Sequence, residues 1–258
     1  MINTSSNIMK LIQCLFFICT MLFAPAVHAE TITIAAAADL KFAMNEIVGS
    51  FNKSHPGDKV EIVYGSSGKF FAQIQQGAPF DLFFSADIAY PLELAKIGLA
   101  ASRVEKYAVG RIVIWSNSMD ATKMTLTALT DPKITRIAIA NPEHAPYGKR
   151  AEEALRSAGI WDAMLSRLVY GENIAQTTQF VQTGNAQIGI IALSLALNPE
   201  LSKSGGYYLI SDTLHKPLEQ GYVITKRGAD KALSKQLAQY IASKEARRIM
   251  TRFGFVLP

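Results

Sequence analysis

Cysteine is nearly absent from this 258-residue chain: there are two, Cys14 and Cys19, and both fall in the first 29 residues. That stretch has one cation, Lys10, then an apolar run over 11–26 broken only by Gln13, Thr20 and the cysteines. It closes on Val27-His28-Ala29, a small-x-small sequence, so residues 1–29 read as a secretory signal peptide. Neither cysteine follows the Leu-x-small pattern of a lipoprotein anchor. The mature protein expected after cleavage near Ala29 therefore has no disulfide, no thiol nucleophile and no Cys-ligated metal. Other features are missing as well. No later apolar run is long enough to span a bilayer, and there is no low-complexity linker or internal repeat. Three histidines remain, His55, His144 and His215, too dispersed for a zinc signature. Basic residues are scattered, with Arg247-Arg248 the nearest to a cluster, which argues against a nucleic-acid surface. Without Lys10 the balance is 25 Lys and Arg against 21 Asp and Glu, a net charge of +4 that favours anions weakly and identifies none.

What the chain does have is alternation. Strand-like segments fall at 31–38, 59–64, 80–85, 107–116, 134–140, 167–170, 186–192, 207–210 and 220–225. Helical spacing falls at 40–53, 69–76, 90–97, 147–158, 174–183, 230–243 and 244–252. Several strands, such as TITIAAAA, RIVIW and IGIIA, are almost continuously apolar. This predicts an α/β protein whose mostly parallel sheets are buried between helices. Length and the even spread of Pro, Gly and Ser fit two lobes sharing one chain.

Ligands of such sheets sit beyond the carboxyl ends of the strands, where the next helices begin. Four junctions of that kind stand out. Ala35–Ala38 leads into Asp39, at a position suited to an N-cap. Gly65-Ser66-Ser67-Gly68 joins the strand KVEIVY to the helix KFFAQIQQ. Asn141–Gly148 carries His144 and Tyr147, and Gly171–Gln176 carries Ile174. The first amides of a helix lack internal partners and lie at the positive end of its dipole. Glycine admits close approach and serine adds a neutral donor, so these junctions suit an anion. Two lie in each half of the chain, which suits a ligand clamped between lobes. Each residue also has a plainer reading: Ser66 and Ser67 as turn residues, Tyr147 as packing, Ile174 as core. Phe70, Phe71, Phe83 and Phe84 read as core.

Enzyme motifs fail on inspection. Gly68-Lys69 partly matches a phosphate loop, but Phe70 stands where Ser or Thr must hold the metal. No Gly-x-Ser-x-Gly elbow surrounds Ser67. The open alternatives are a receptor for phosphate, sulfate or a small carboxylate, a secreted hydrolase using Ser67, and the effector-sensing module of a regulator.

The segments AAAADLKFAM, GSSGKFFAQIQQGAPFDLFFSAD, NPEHAPYG and RRIMTRFGFVLP, in that order, resemble the periplasmic molybdate-binding proteins of ABC importers. The likeness spans the whole expected mature chain. It implies a two-lobed type II periplasmic-binding-protein fold, an oxyanion ligand that is molybdate or tungstate, no cofactor, and a membrane permease as partner to a monomeric periplasmic receptor. By position it implies that Ser67 donates its hydroxyl and amide, Ile174 its amide, and Tyr147 its hydroxyl. Relatives without that tyrosine carry one where this chain has Ala192. Ala38 stands where some relatives have Thr, and Asp39 where relatives have a Ser or Asn donor. A carboxylate facing a dianion is repelled, so Asp39 is expected to turn back and cap its helix, the alternative being contact with a protonated anion. The lobes are expected at 30–108 plus 223–258 and at 109–222, with crossing strands near Val109 and Gly221.

Overall fold

The structure, a computed structural model, describes residues 29–258. The expected signal peptide, apart from Ala29, lies outside the described residues. Ten strands form two five-stranded sheets. The first contains β1 (Thr31–Ala37), β2 (Lys59–Gly65), β3 (Leu82–Ser85), β4 (Glu105–Gly110) and β10 (Leu218–Ile224), in the order β2-β1-β3-β10-β4. The second contains β5 (Ile112–Ser116), β6 (Ile137–Ala140), β7 (Leu168–Gly171), β8 (Ile188–Ala192) and β9 (Gly206–Leu209), in the order β7-β6-β8-β5-β9. The sheets share one plan. Three parallel strands are followed by one antiparallel strand, β10 or β5, which the chain brings over from the other lobe.

The longer helices are α1 (Lys41–Asn52), α2 (Ser67–Gln75), α3 (Ala89–Lys96), α4 (Pro146–Ser157), α6 (Ile174–Gln182), α9 (Ala232–Ile241) and α10 (Lys244–Arg252). Three short ones, α5 (Trp161–Met164), α7 (Leu193–Ala196) and α8 (Pro199–Ser204), lie between them. Alternation along β1 divides its side chains. Ile32, Ile34 and Ala36 pack under α1, α9 and α10, while Ala35 and Phe83 face Phe70, Ile74 and Leu94 of α2 and α3. In the second lobe every residue of β5, β6 and β8 is buried, as apolar strands covered on both faces require. Phe70, Phe83 and Phe84 are core; Phe71 is half-buried against Tyr90.

Two expectations shift. The segment 107–116 is two strands in different sheets, broken at Arg111. Strand β10 lies wholly in the first sheet, so the second crossing precedes Leu218 instead of falling near Gly221. The apolar pattern of a strand reports its burial but not which neighbours it pairs with, and both ends of these strands are apolar. Among the described residues no helix is long and apolar enough to cross a membrane, and no cluster of His, Asp and Glu could hold a metal ion.

Candidate anion-binding site

Register brings the four junctions together in pairs. Ala37 pairs with Gly65 at the end of β1 and β2, so the Ala38 and Ser67 junctions leave the first sheet side by side. Ala140 pairs with Gly171 at the end of β6 and β7, which sets the Tyr147 and Ile174 junctions side by side in the second lobe. The two pairs face each other across a small cavity of ≈ 10 Å³, and Ala38, Asp39, Ser67, Tyr147 and Ile174 all line it. Each is at least 97 % buried, so the cavity is closed by the lobes themselves.

Ser67 is the first residue of α2. Its Oγ accepts the amide of Ala86 at 3.0 Å, which fills its acceptor role and leaves its own proton to donate. Its amide has no hydrogen-bond partner among the described residues. Ile174 holds the matching position in α6. Asn173, the N-cap, takes the amides of Ala175 and Gln176 on its Oδ1, both at 3.0 Å, and Ile174 N–H is left without a partner among the described residues. Two helix N-termini from opposite lobes therefore offer unpaired amides to one cavity, and α4 begins at its wall with Pro146 and Tyr147.

Asp39 does not cap its helix. The carboxylate makes no capping bond, because Oδ2 accepts the Tyr147 hydroxyl at 2.9 Å and the Gln220 amide at 2.7 Å. Gln220 Nε2 also lies 3.2 Å from the Tyr147 oxygen, closing a buried triangle between β10, α4 and the Asp39 turn. Ser194 donates to the Asp39 carbonyl at 2.8 Å. Oδ1 has no partner of good geometry. Burial pushes the carboxyl up from 3.8 to about 6, opposed by the Gln220 and Tyr147 hydrogen bonds and more weakly by the amides of Asp39 and Leu40. Tyr147 is raised well above 10, first by burial and then by the Asp39 charge. Its proton is committed to Asp39, so the Tyr147 hydroxyl is not free to donate into the cavity. Gly110, where the chain leaves the first lobe, makes room for the triangle: a Cβ there would lie 2.3 Å from the Tyr147 oxygen.

The rim holds the lobes together. Ser66 Oγ donates to the His144 carbonyl, the Gly68 amide donates to the same oxygen at 3.0 Å, and His144 Nδ1 lies 3.0 Å from Ser66 Oγ. Lys69 pairs with Glu172 across the same gap. A Cβ on Gly68 would sit 2.6 Å from the His144 carbonyl, so this approach needs glycine. Beyond the rim a cleft of ≈ 540 Å³ opens to solvent, lined in part by Lys41, Tyr64 and Glu172. Sequence reasoning did not single out Gln220 or Ser194, and it gave Ser66 and Asn173 no role of their own within their junctions. Gln220 and Ser194 lie far along the chain from any motif, whereas Asn173, one residue before a helix, carried an ordinary N-cap signal.

The chain matches the model of the bacterial extracellular solute-binding protein family over residues 32–256. It belongs to that family. The molybdate-binding protein ModA of Azotobacter vinelandii is 36 % identical over 92 % of this chain and 94 % of its own length. A putative ABC transporter substrate-binding lipoprotein of Bacillus subtilis is 31 % identical over 87 % of this chain and 86 % of its own. Among solved structures, the Azotobacter vinelandii periplasmic molybdate-binding protein superposes with a TM-score of 0.83 at 30 % identity, covering 88 % of this chain and 99 % of that one. The two sheets with their helices are thus the two-lobed fold of periplasmic binding proteins. Membership makes this solute-binding protein a receptor and not an enzyme.

Proposed function

We propose that this protein is a periplasmic receptor that captures molybdate or tungstate between its lobes and passes it to an inner-membrane ABC permease, working as a monomer without a cofactor. The observation that carries this reading is the meeting of the unpaired Ser67 and Ile174 amides, from helix N-termini in opposite lobes, in one buried cavity. A tetrahedral dianion needs donors on several sides, and neutral donors hold it without the desolvation cost of a buried cation. The molybdate ligand of the named relatives supports the choice of anion. One observation favours a second reading: the free Oδ1 of Asp39 suits an anion that brings its own proton, such as hydrogen phosphate.

Calorimetric titration of purified, anion-stripped protein with molybdate, tungstate, sulfate and phosphate tests the proposal. Molybdate and tungstate are expected to bind at least about tenfold more tightly than the other two. Tighter binding of phosphate would replace the substrate while keeping the site, and no binding of any of the four would overturn the reading. Small-angle scattering on the same samples should show contraction on binding, because only closed lobes bring both donor sets to the ligand.

A further inference from the structure

The mechanism leaves one buried titratable group unexplained: a carboxylate in the wall of a cavity built for a dianion. We infer that Asp39 serves the bound anion as a neutral carboxylic acid, with Oδ1 carrying a proton toward the ligand, so that capture of molybdate takes up one proton from solvent. The inference rests on the reading of the ligand as a tetrahedral dianion.

The geometry assigns different roles to the two oxygens. Oδ2 already accepts two hydrogen bonds, from Tyr147 at 2.9 Å and Gln220 at 2.7 Å, so it is fixed as an acceptor. Oδ1 accepts none, and the residue is 1 % exposed and lines the cavity. An ionised Oδ1 there meets the ligand's oxygens with like charge and no donor between them. Protonated, it becomes a neutral donor like Ser67 Oγ.

Beyond these bonds and the weaker contribution of the Asp39 and Leu40 amides, no charged group offsets the carboxylate. The titratable neighbours on the packed elements are Tyr107 on β4, Tyr147 on α4 and Tyr64 on β2, all with raised values that keep them neutral. Lys41 begins α1 but lines the outer cleft. Lys69 pairs with Glu172 at the rim, and His144 Nε2 lies 3.8 Å from the same carboxylate. The residues of α6 and α7 nearest the turn, Ile174 and Ser194, carry no charge. Among the described residues no Lys or Arg forms an ion pair with Asp39. Burial moves the carboxyl to about 6, so at neutral pH a minor protonated fraction stands ready for the anion to select.

The test is molybdate affinity of the full mature protein between about pH 6.5 and 8.5, a range in which molybdate stays a dianion. The wild type is expected to lose about tenfold in affinity per pH unit. Calorimetry in two buffers of different protonation enthalpy should show about one proton taken up per molybdate. Asp39→Asn, which offers an amide donor in place of the acid, is expected to bind with a flat pH profile, no proton uptake, and higher affinity than wild type at the alkaline end. Molybdate binding by the wild type that is independent of pH and takes up no proton overturns the inference and leaves the receptor reading standing. Failure of the wild type to bind molybdate at any pH, with phosphate bound instead, overturns the reading itself.

Discussion

Replacing Ser67 by alanine removes one oxygen that holds the Ala86 amide and, on the proposed reading, donates to the anion, and the two costs can be separated. Toward the ligand, a buried hydroxyl donating to an anion contributes about 1.5–3 kcal/mol, so molybdate affinity should fall about 10- to 150-fold. Toward the fold, Ser67 Oγ accepts the Ala86 amide at 3.0 Å, and Ala86 is 1 % exposed. The variant leaves that amide buried and unpaired, a penalty of about 1–3 kcal/mol. In a chain of this size about 2 kcal/mol corresponds to a fall in melting temperature of roughly 4–8 °C. Position in a turn alone suggests that the empty protein would hardly notice the change; the Ala86 contact says otherwise. Calorimetry reads the first quantity and thermal unfolding of anion-free protein the second. Affinity within about twofold of wild type would refute the placement of the ligand on Ser67. An unchanged melting temperature would refute the role of the hydroxyl in holding Ala86.

The rim and the buried acid give two further expectations. Gly68→Ala places a Cβ 2.6 Å from a backbone carbonyl of the opposite lobe, so the closed state should be disfavoured by about 1–3 kcal/mol. Affinity should drop accordingly and scattering should show a more open apo form, with melting little altered; closure indistinguishable from wild type would sink this account. For Asp39 the value near 6 lies above 3.8, so the folded state holds the proton more tightly, and stability is lost as pH rises from about 4 through 6. Asp39→Asn should therefore raise the stability of the empty protein by about 3 kcal/mol at pH 8 and by almost nothing near pH 4, measured by urea unfolding at both. Equal gains at the two pH values would show that ionisation is not the cause.

The sequence by itself determined the class of fold and which junctions line the cavity between the lobes. Apolar strands alternating with amphipathic helices have few ways to bury both faces, and the ends of parallel strands are where unpaired helix amides collect. The junctions carrying Ala38, Ser67, Tyr147 and Ile174 could be picked out because each combines small or hydroxyl residues with a helix start. Only the tertiary structure decided what Asp39 does. Local preference sends an Asp at that position back onto its own helix. The fold instead supplies Tyr147 and Gln220, 108 and 181 residues away, whose combined hydrogen bonds outweigh one cap. The lobe boundary is of the same kind. Whether β10 pairs with β3 and β4 or stays in the second lobe depends on partners distant in the chain, and hydrophobic pattern is blind to them. Residues whose neighbours lie within a helical turn announce their roles, whereas those whose neighbours come from another lobe acquire them only when the chain has closed on itself.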